Sequence, residues 1–143
     1  MKYAIYPLFA FILIGCASQK ELINSEGDNE DIITATLGEF KKTDPISILN
    51  VKIEENSMFI VVEYSGGCKE HNFELVGNNA VAKSLPPQRS IQLQHNGNED
   101  HCRELITDTV TANIEALAMS QTQGSEIILN LDGYGKELKY TFK

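Results

Sequence analysis

The sequence is poor in positive charge and lacks a long hydrophobic segment. It has 12 lysines and arginines against 20 aspartates and glutamates, for a formal net charge of −8 at pH 7. A surface of this sign repels nucleic-acid phosphates, so we exclude nucleic acid as the partner. The longest apolar run, residues 4–14, is interrupted by Pro7 and is too short for a membrane span, which needs about 20 residues.

The motifs of several enzyme classes are also missing from the sequence. It contains no Gly-x-Ser-x-Gly nucleophile elbow, no phosphate-binding glycine loop and no His-Glu-x-x-His zinc motif. Asp100 and His101 could be combined with a distant serine into a hypothetical catalytic triad, but almost any chain permits such a combination. The sequence therefore predicts a protein that is not an enzyme.

The N-terminal residues have the layout of a secretory signal. Met1 and Lys2 give a short positive start, the apolar run follows, and Leu13-Ile14-Gly15-Cys16 closes it. This end resembles a bacterial lipobox, in which a small residue precedes a cysteine that receives a diacylglycerol group. The resemblance implies that residues 1–15 are removed and that acyl chains on Cys16 anchor the protein to a membrane. The alternatives are an ordinary signal peptide with an incidental cysteine and a buried core strand.

The residues after Cys16 favour the outer membrane of the cell envelope over the inner membrane. Position two of the mature chain is Ala17 instead of aspartate, which argues against retention at the inner membrane. Gln19-Lys20-Glu21 resembles the charged export signal of surface lipoproteins in the Bacteroidetes, although a soluble spacer would look the same.

The mature chain divides into a polar segment and a patterned domain. Residues 16–44 are mostly polar and acidic and predict a flexible tether, because they offer little apolar surface to bury. Within them, residues 32–40 fit either a short helix or a first strand. The folded domain is predicted to cover residues 45–143.

Two cysteines remain once Cys16 is assigned to lipid. Cys68 and Cys102 form an even pair in an oxidising compartment, so we predict a disulfide between them. In the chain-entropy model, closing a loop of about 35 residues stabilises a fold by roughly 3.5 to 4 kcal/mol. The alternative is a tetrahedral zinc or copper site that adds His71 and His95 to the two thiols. Both histidines lie on the inward parity of their predicted strands, which would let them meet.

A group of acidic residues surrounds the second cysteine. No spacing of calcium ligands is present, so a solvated loop is favoured over a calcium site, and His101 is predicted to be solvated as well. The four acidic residues are Glu99, Asp100, Glu104 and Asp108.

Alternation with a period of two dominates the sequence after Asp44 and predicts β-strands. Residues 58–64 predict a central strand that is buried on both faces, and a change of parity near Leu49 indicates a β-bulge. Residues 132–135 predict a hairpin loop. Residues 105–117 fit a strand or a helix, and their threonines and valines favour a strand. About seven short strands predict an all-β fold, an antiparallel β-sandwich of the immunoglobulin-like kind, with a small β-barrel as the alternative.

Several segments together resemble uncharacterised small lipoproteins of Bacteroidetes-type bacteria. They are Gly-Gly-Cys-x2-His-x-Phe, the Pro-Pro corner, the Leu-x-His strand and Cys-Arg-Glu, within residues 64–117. The resemblance implies an exported, lipid-anchored domain and brings no catalytic residue with it.

We therefore predict an envelope lipoprotein that acts as a binding or scaffolding module for another envelope protein, a peptide or a glycan. One alternative is a periplasmic zinc- or copper-binding protein that uses Cys68, His71, His95 and Cys102. A hydrolase inhibitor is a further alternative, by analogy of architecture alone.

Overall fold

The alternating apolar pattern folds into two β-sheets that pack face to face. A computed structural model describes residues 31–143; the predicted signal, Cys16 and the first part of the tether lie outside the described residues. The strands are β1 (Ile33–Thr34), β2 (Thr36–Gly38), β3 (Ser47–Glu54), β4 (Ser57–Gly66), β5 (Asn72–Asn78), β6 (Gln88–Asn96), β7 (Glu104–Asn113), β8 (Glu126–Leu131) and β9 (Glu137–Thr141). A 3-10 helix, Glu115–Leu117, follows β7. None of the helical structure in residues 31–143 is long and apolar enough to cross a membrane.

The two sheets differ in size and contain both kinds of strand pairing. One sheet has the order β1-β7-β4-β3, and the other has the order β2-β5-β6-β8-β9. Three neighbouring pairs are parallel, namely β1 with β7, β2 with β5 and β6 with β8, and the remaining pairs are antiparallel. The predicted β-sandwich is confirmed, and residues 31–143 form no closed barrel. The prediction of purely antiparallel pairing was wrong, because the three parallel pairs join strands that do not follow one another in a hairpin. Residues 31–143 contain nine strands where about seven were expected, partly because β1 and β2 lie within the predicted tether.

The core lies between the inner faces of the two sheets. β4 is central in its sheet, as predicted, and its alternate residues Met58, Ile60 and Val62 are fully buried. They share one hydrophobic cluster with Leu75 and Leu129 of the other sheet. Full burial of an aliphatic side chain of this size contributes roughly 1.5 to 3 kcal/mol, so this layer of side chains holds the sheets together.

Other local predictions can be compared directly with the strands. The register of β3 against β4 shifts between Ile48 and Asn50, which confirms the bulge. The loop between β8 and β9 confirms the hairpin, and β7 resolves residues 105–117 as a strand followed by the short helix. The prediction that β4 is buried on both faces was wrong. Phe59 and Val61 are only half-buried, because no further layer of the described residues covers that face.

The predicted boundary of the tether at residue 44 is wrong for residues 33–38. These residues form β1 and β2, which pair with β7 and β5, and Ala35 between them is only 1% exposed. The segment is ordered because the edges of both sheets supply backbone partners for its amide and carbonyl groups. Of the two alternatives predicted for residues 32–40, the strand is confirmed. The sandwich therefore begins before residue 45.

Substitution of Ala35 by aspartate tests whether this segment belongs to the folded domain. Ala35→Asp should lower the free energy of unfolding in urea by about 2 to 4 kcal/mol, because it places an unpaired carboxylate in a buried position. Thr34→Asp, at the exposed neighbouring position, is the matched control and should change the free energy by less than about 0.5 kcal/mol. Equal effects of the two substitutions would contradict the assignment.

Candidate functional site

Three chain segments cross between the sheets at one end of the sandwich. Residues 39–46, which we call the strap, lead from β2 to β3. Residues 67–71, the first crossing loop, lead from β4 to β5, and residues 97–103, the second crossing loop, lead from β6 to β7. Most of the residues selected from the sequence lie in these segments or at the strand ends beside them.

A disulfide joins the two crossing loops. Cys68 and Cys102 are bonded, with their Cα atoms 5.9 Å apart, as the cysteine count predicted. The glycine pair before Cys68 is required by space and backbone conformation. A Cβ on Gly66 would lie 2.5 Å from the His71 Nε2 atom, and Gly67 has a φ of 107°, a value that favours glycine.

The carboxylate of Asp100 fills the space beneath the disulfide. Its oxygens accept hydrogen bonds from the backbone N–H groups of Cys68 and Lys69, each at 2.9 Å, and of Cys102 at 2.8 Å. The amides of Cys102 and Cys68 hold the pKa of this carboxyl well below its usual range. The side chain is 1% exposed, so the prediction of a solvated acidic loop was wrong for Asp100. Glu99 is exposed, as predicted.

Polar side chains add further contacts between the crossing loops. The Lys69 ammonium group donates to the carbonyls of Asn98 and Glu99, at 2.8 and 3.0 Å. The side-chain amide of Asn98 donates back to the Glu70 carbonyl at 2.6 Å. The two loops are therefore held by hydrogen bonds on both sides of the covalent bridge.

The two histidines meet behind Asp100. His71 Nδ1 lies 2.8 Å from His95 Nε2, so one nitrogen donates and the other accepts, and His71 Nε2 lies 3.4 Å from Asp100 Oδ2. Tyr64 and Phe73 pack against the pair, with ring centroids 4.6 Å from His71 and 5.1 Å from His95 respectively. The sequence placed both histidines on the inward side of their predicted strands, and on that basis this contact was predicted.

Burial controls the charge of His95. Its side chain lies in the interior, and loss of water lowers the pKa of the imidazole. The neighbouring His71 lowers this pKa further, against an opposing effect of Asp44. His95 is therefore neutral at neutral pH.

The strap docks on the part of β6 that β8 leaves unpaired, since β8 pairs only with residues 88–91. The Thr43 hydroxyl accepts from the His95 N–H at 2.7 Å, and the Asp44 N–H donates to the His95 carbonyl at 2.9 Å. Asp44 Oδ2 also accepts from the Gly97 N–H at 2.9 Å. Neither of these strap residues was predicted from the sequence to bind β6, although threonine and aspartate commonly bond to backbone groups outside regular structure.

An open cleft of about 360 Å3 lies between the strap and the second crossing loop. Its ionisable lining consists of Asp44, Glu99, Asp100, His71, His95 and His101. His101 is exposed, as predicted. The cleft is acidic at its rim. His71 contacts both His95 and Asp100, whereas the Nδ1 atom of His95 is buried and has no hydrogen-bond partner among residues 31–143.

The alternative metal site does not assemble in this structure. Its four proposed ligands were Cys68, His71, His95 and Cys102, and a tetrahedral zinc or cuprous site of this kind requires thiolates. The disulfide removes both thiolates. Asp100 lies close to the two sulfurs, but its oxygens are occupied by backbone amides.

The fold and this end of the molecule define a class of protein: a β-sandwich with a disulfide between two loops, in which a buried aspartate and two histidines contact one another. The chain belongs to the family of the NigD-like C-terminal β-sandwich domain, which matches residues 29–143. No curated protein shows a significant match to the sequence.

Solved structures of two other proteins have a similar fold. A NigD-like immunity protein from Bacteroides caccae aligns with a TM-score of 0.57 and 15% identity, over 76% of this chain and 58% of that chain. A putative toxin-related protein from Parabacteroides distasonis aligns with a TM-score of 0.51 and 21% identity, over 78% and 60%. The chain thus spans about three fifths of the length of these proteins, and the likeness shows the fold alone.

The buried state of His95 predicts a dependence of stability on pH. The pKa of His95 is lowered from 6.5 in the folded protein, so the unfolded chain binds the proton first as pH falls. The free energy of unfolding should therefore decrease below pH 6.5, by at most about 1.4 kcal/mol per pH unit for this one group. Urea unfolding between pH 7.5 and 5 should show this slope, and His95→Gln should lose part of it.

His101→Gln is the matched control, because His101 is exposed and lies in the same cleft. It should keep the slope of the unmodified protein. An unchanged slope in His95→Gln would contradict the assignment of the proton uptake to this residue.

Proposed function

We propose that the protein is a lipid-anchored, non-enzymatic protein of the immunity type that binds another polypeptide at the cell envelope. The observation that carries the proposal is the state of the groups that could perform chemistry. The Asp100 carboxylate accepts hydrogen bonds from three backbone N–H groups, and the two histidines share a hydrogen bond. The two cysteines form a disulfide. These contacts stabilise the surface formed by the two crossing loops. A stabilised surface of this kind is better suited to binding a partner than to catalysing a reaction.

The charge of the protein favours a basic polypeptide as the partner. The chain carries a net charge of −8, and the rim of the cleft adds the exposed carboxylates of Asp44 and Glu99. Complementary charge steers association and rejects partners of the same sign. The negative charge of the protein would not increase the affinity for a neutral glycan or an acidic protein.

Membership of the NigD-like family supports the immunity type. One structure of similar fold is named as an immunity protein and another as toxin-related. An immunity protein acts by binding, and it must be present where the toxin arrives. A lipid on Cys16 would hold the domain at the outer membrane, with the residues before 31 as the connection to the sandwich.

A resistance assay tests this proposal. The gene is deleted in its host, and the strain is challenged with secreted protein fractions that kill related strains lacking the gene. The deletion should increase sensitivity, and the full chain supplied on a plasmid should restore resistance. Cys16→Ala should lose the radioactive palmitate label and fail to restore resistance, because the binding domain is no longer held at the membrane.

Ser18→Ala is the control for the signal region and should retain both label and resistance. A deletion strain as resistant as its parent to every such fraction would contradict the immunity function. Full resistance with Cys16→Ala would contradict the need for the anchor.

A further inference from the structure

β7 leaves most of one backbone edge open. β4 pairs with it along all ten residues, whereas β1 pairs with it only at Ala112 and Asn113. Within the part of the chain that the structure describes, residues 104–111 of β7 therefore have no second neighbouring strand. Such an edge is a template for pairing with another chain.

The odd-numbered residues of β7 direct their backbone groups to this edge. The Asn113 carbonyl accepts from the Ala35 N–H at 2.8 Å on that side, and the Thr109 N–H donates to the side chain of Asp108 at 2.7 Å. The N–H and C=O of one residue point to the same side of a strand, and the side alternates along the chain. The other residues with this direction are Leu105, Thr107 and Thr111.

The other edges of the two sheets are protected. β3 has a bulge and carries Lys52, and the Tyr134 hydroxyl accepts from the N–H of Val51 at 3.3 Å. β9 has five residues and carries Lys139, and β2 has only three residues. Bulges, lysines and short length are common means of blocking an edge, and residues 104–111 have none of these three. An inward-pointing charge is another such means, and β7 has one in Asp108, whose carboxylate accepts from the Thr109 N–H.

Asp108 makes the open edge selective for charge. Its side chain lies on the inward parity of β7 but is exposed, and one oxygen is 3.4 Å from the Tyr64 hydroxyl. A strand laid on this edge would cover the carboxylate, which is costly unless a cation is supplied. Glu104 adds a second negative charge, and β7 contains no lysine or arginine.

The same charges disfavour two other occupants of the edge. A second copy that pairs antiparallel through the centre of this edge would bring the Asp108 carboxylates of both copies together. The residues that precede β1 include Asp28, Glu30 and Asp31, which are also acidic. Two exposed apolar side chains beside the edge, Ile32 and Leu105, offer contacts to a foreign strand.

We infer that β7 binds an extended, basic segment of the partner as an additional strand, with a lysine or arginine of that segment on Asp108. The inference rests on the proposed function and specifies how the partner is bound. Main-chain hydrogen bonds to the open edge supply affinity, and the carboxylate supplies selectivity.

Peptide binding tests this inference without knowledge of the natural partner. The probes are fluorescein-labelled peptides of about eight residues that alternate threonine and valine, with either lysine or glutamate at the centre. Fluorescence anisotropy with the detergent-solubilised full chain should show binding of the lysine peptide and at least about tenfold weaker binding of the glutamate peptide. Asp108→Lys, at an exposed position, should reverse this preference.

Thr107→Pro tests the backbone contribution. Proline removes an N–H that points to the open edge and leaves the ladder to β4 intact, so binding of the lysine peptide should weaken at least about tenfold. Lys139→Pro is the matched control on the edge of β9 and should leave peptide binding unchanged. Circular dichroism checks that each variant retains its strands.

Three outcomes would overturn the inference: equal binding of the two peptides, unchanged binding in Thr107→Pro and Asp108→Lys, or a dimer of the unmodified chain that closes the edge in sedimentation. The resistance assay separates this failure from failure of the proposed function. If Asp108→Lys protects cells as well as the unmodified chain does, the edge is not the site but the function stands. If the unmodified chain gives no protection yet distinguishes the peptides, the strand addition stands without the immunity function.

Discussion

One buried carboxylate determines the geometry of the disulfide end. Asp100 accepts hydrogen bonds from amides of both crossing loops, and the disulfide joins the same loops covalently. Each loop leads from one sheet to the other, so these bonds also fix how the sheets meet at this end. The amide donors favour the charged form of the carboxyl, and the neighbouring His71 side chain adds a smaller effect in the same direction.

The histidines, the cysteines and the buried aspartate at this end of the molecule bond mainly to one another and to backbone amides. The imidazoles of His71 and His95 bond to each other and pack against Tyr64. We propose that a partner binds at this end, where these side chains are held by one another. Rigid surfaces lose little conformational freedom on binding, and the open edge of β7 lies on the strand that the second crossing loop leads into.

Local patterns in the sequence predicted a large part of this structure. The bulge near Leu49 follows from side-chain parity along a strand. Parity also suggested the contact of His71 with His95, although His71 lies one residue before β5. The pairing of Cys68 with Cys102 follows from assigning the third cysteine to lipid. Each of these inferences needs only the pattern of neighbouring residues or the number of cysteines.

Contacts between distant segments could not be predicted in the same way. Asp100 looks like any acidic residue of a turn, and its partners Cys68 and Lys69 lie 32 and 31 residues earlier. Asp44 bonds to the amide of Gly97, 53 residues away, immediately after the stretch of β6 that β8 leaves unpaired. The strands β1 and β2 were left open between a helix and a strand, because segments of two and three residues are too short to show a period.

Hydrogen exchange in Asp100→Asn tests most directly whether this carboxylate organises the disulfide end. The amides to follow are those of Cys68, Lys69 and Cys102, with Asp132→Asn as the control at an exposed position. The account predicts that these three amides exchange much faster in Asp100→Asn while the disulfide and the amides of β4 remain protected. Unchanged exchange at all three amides would contradict it.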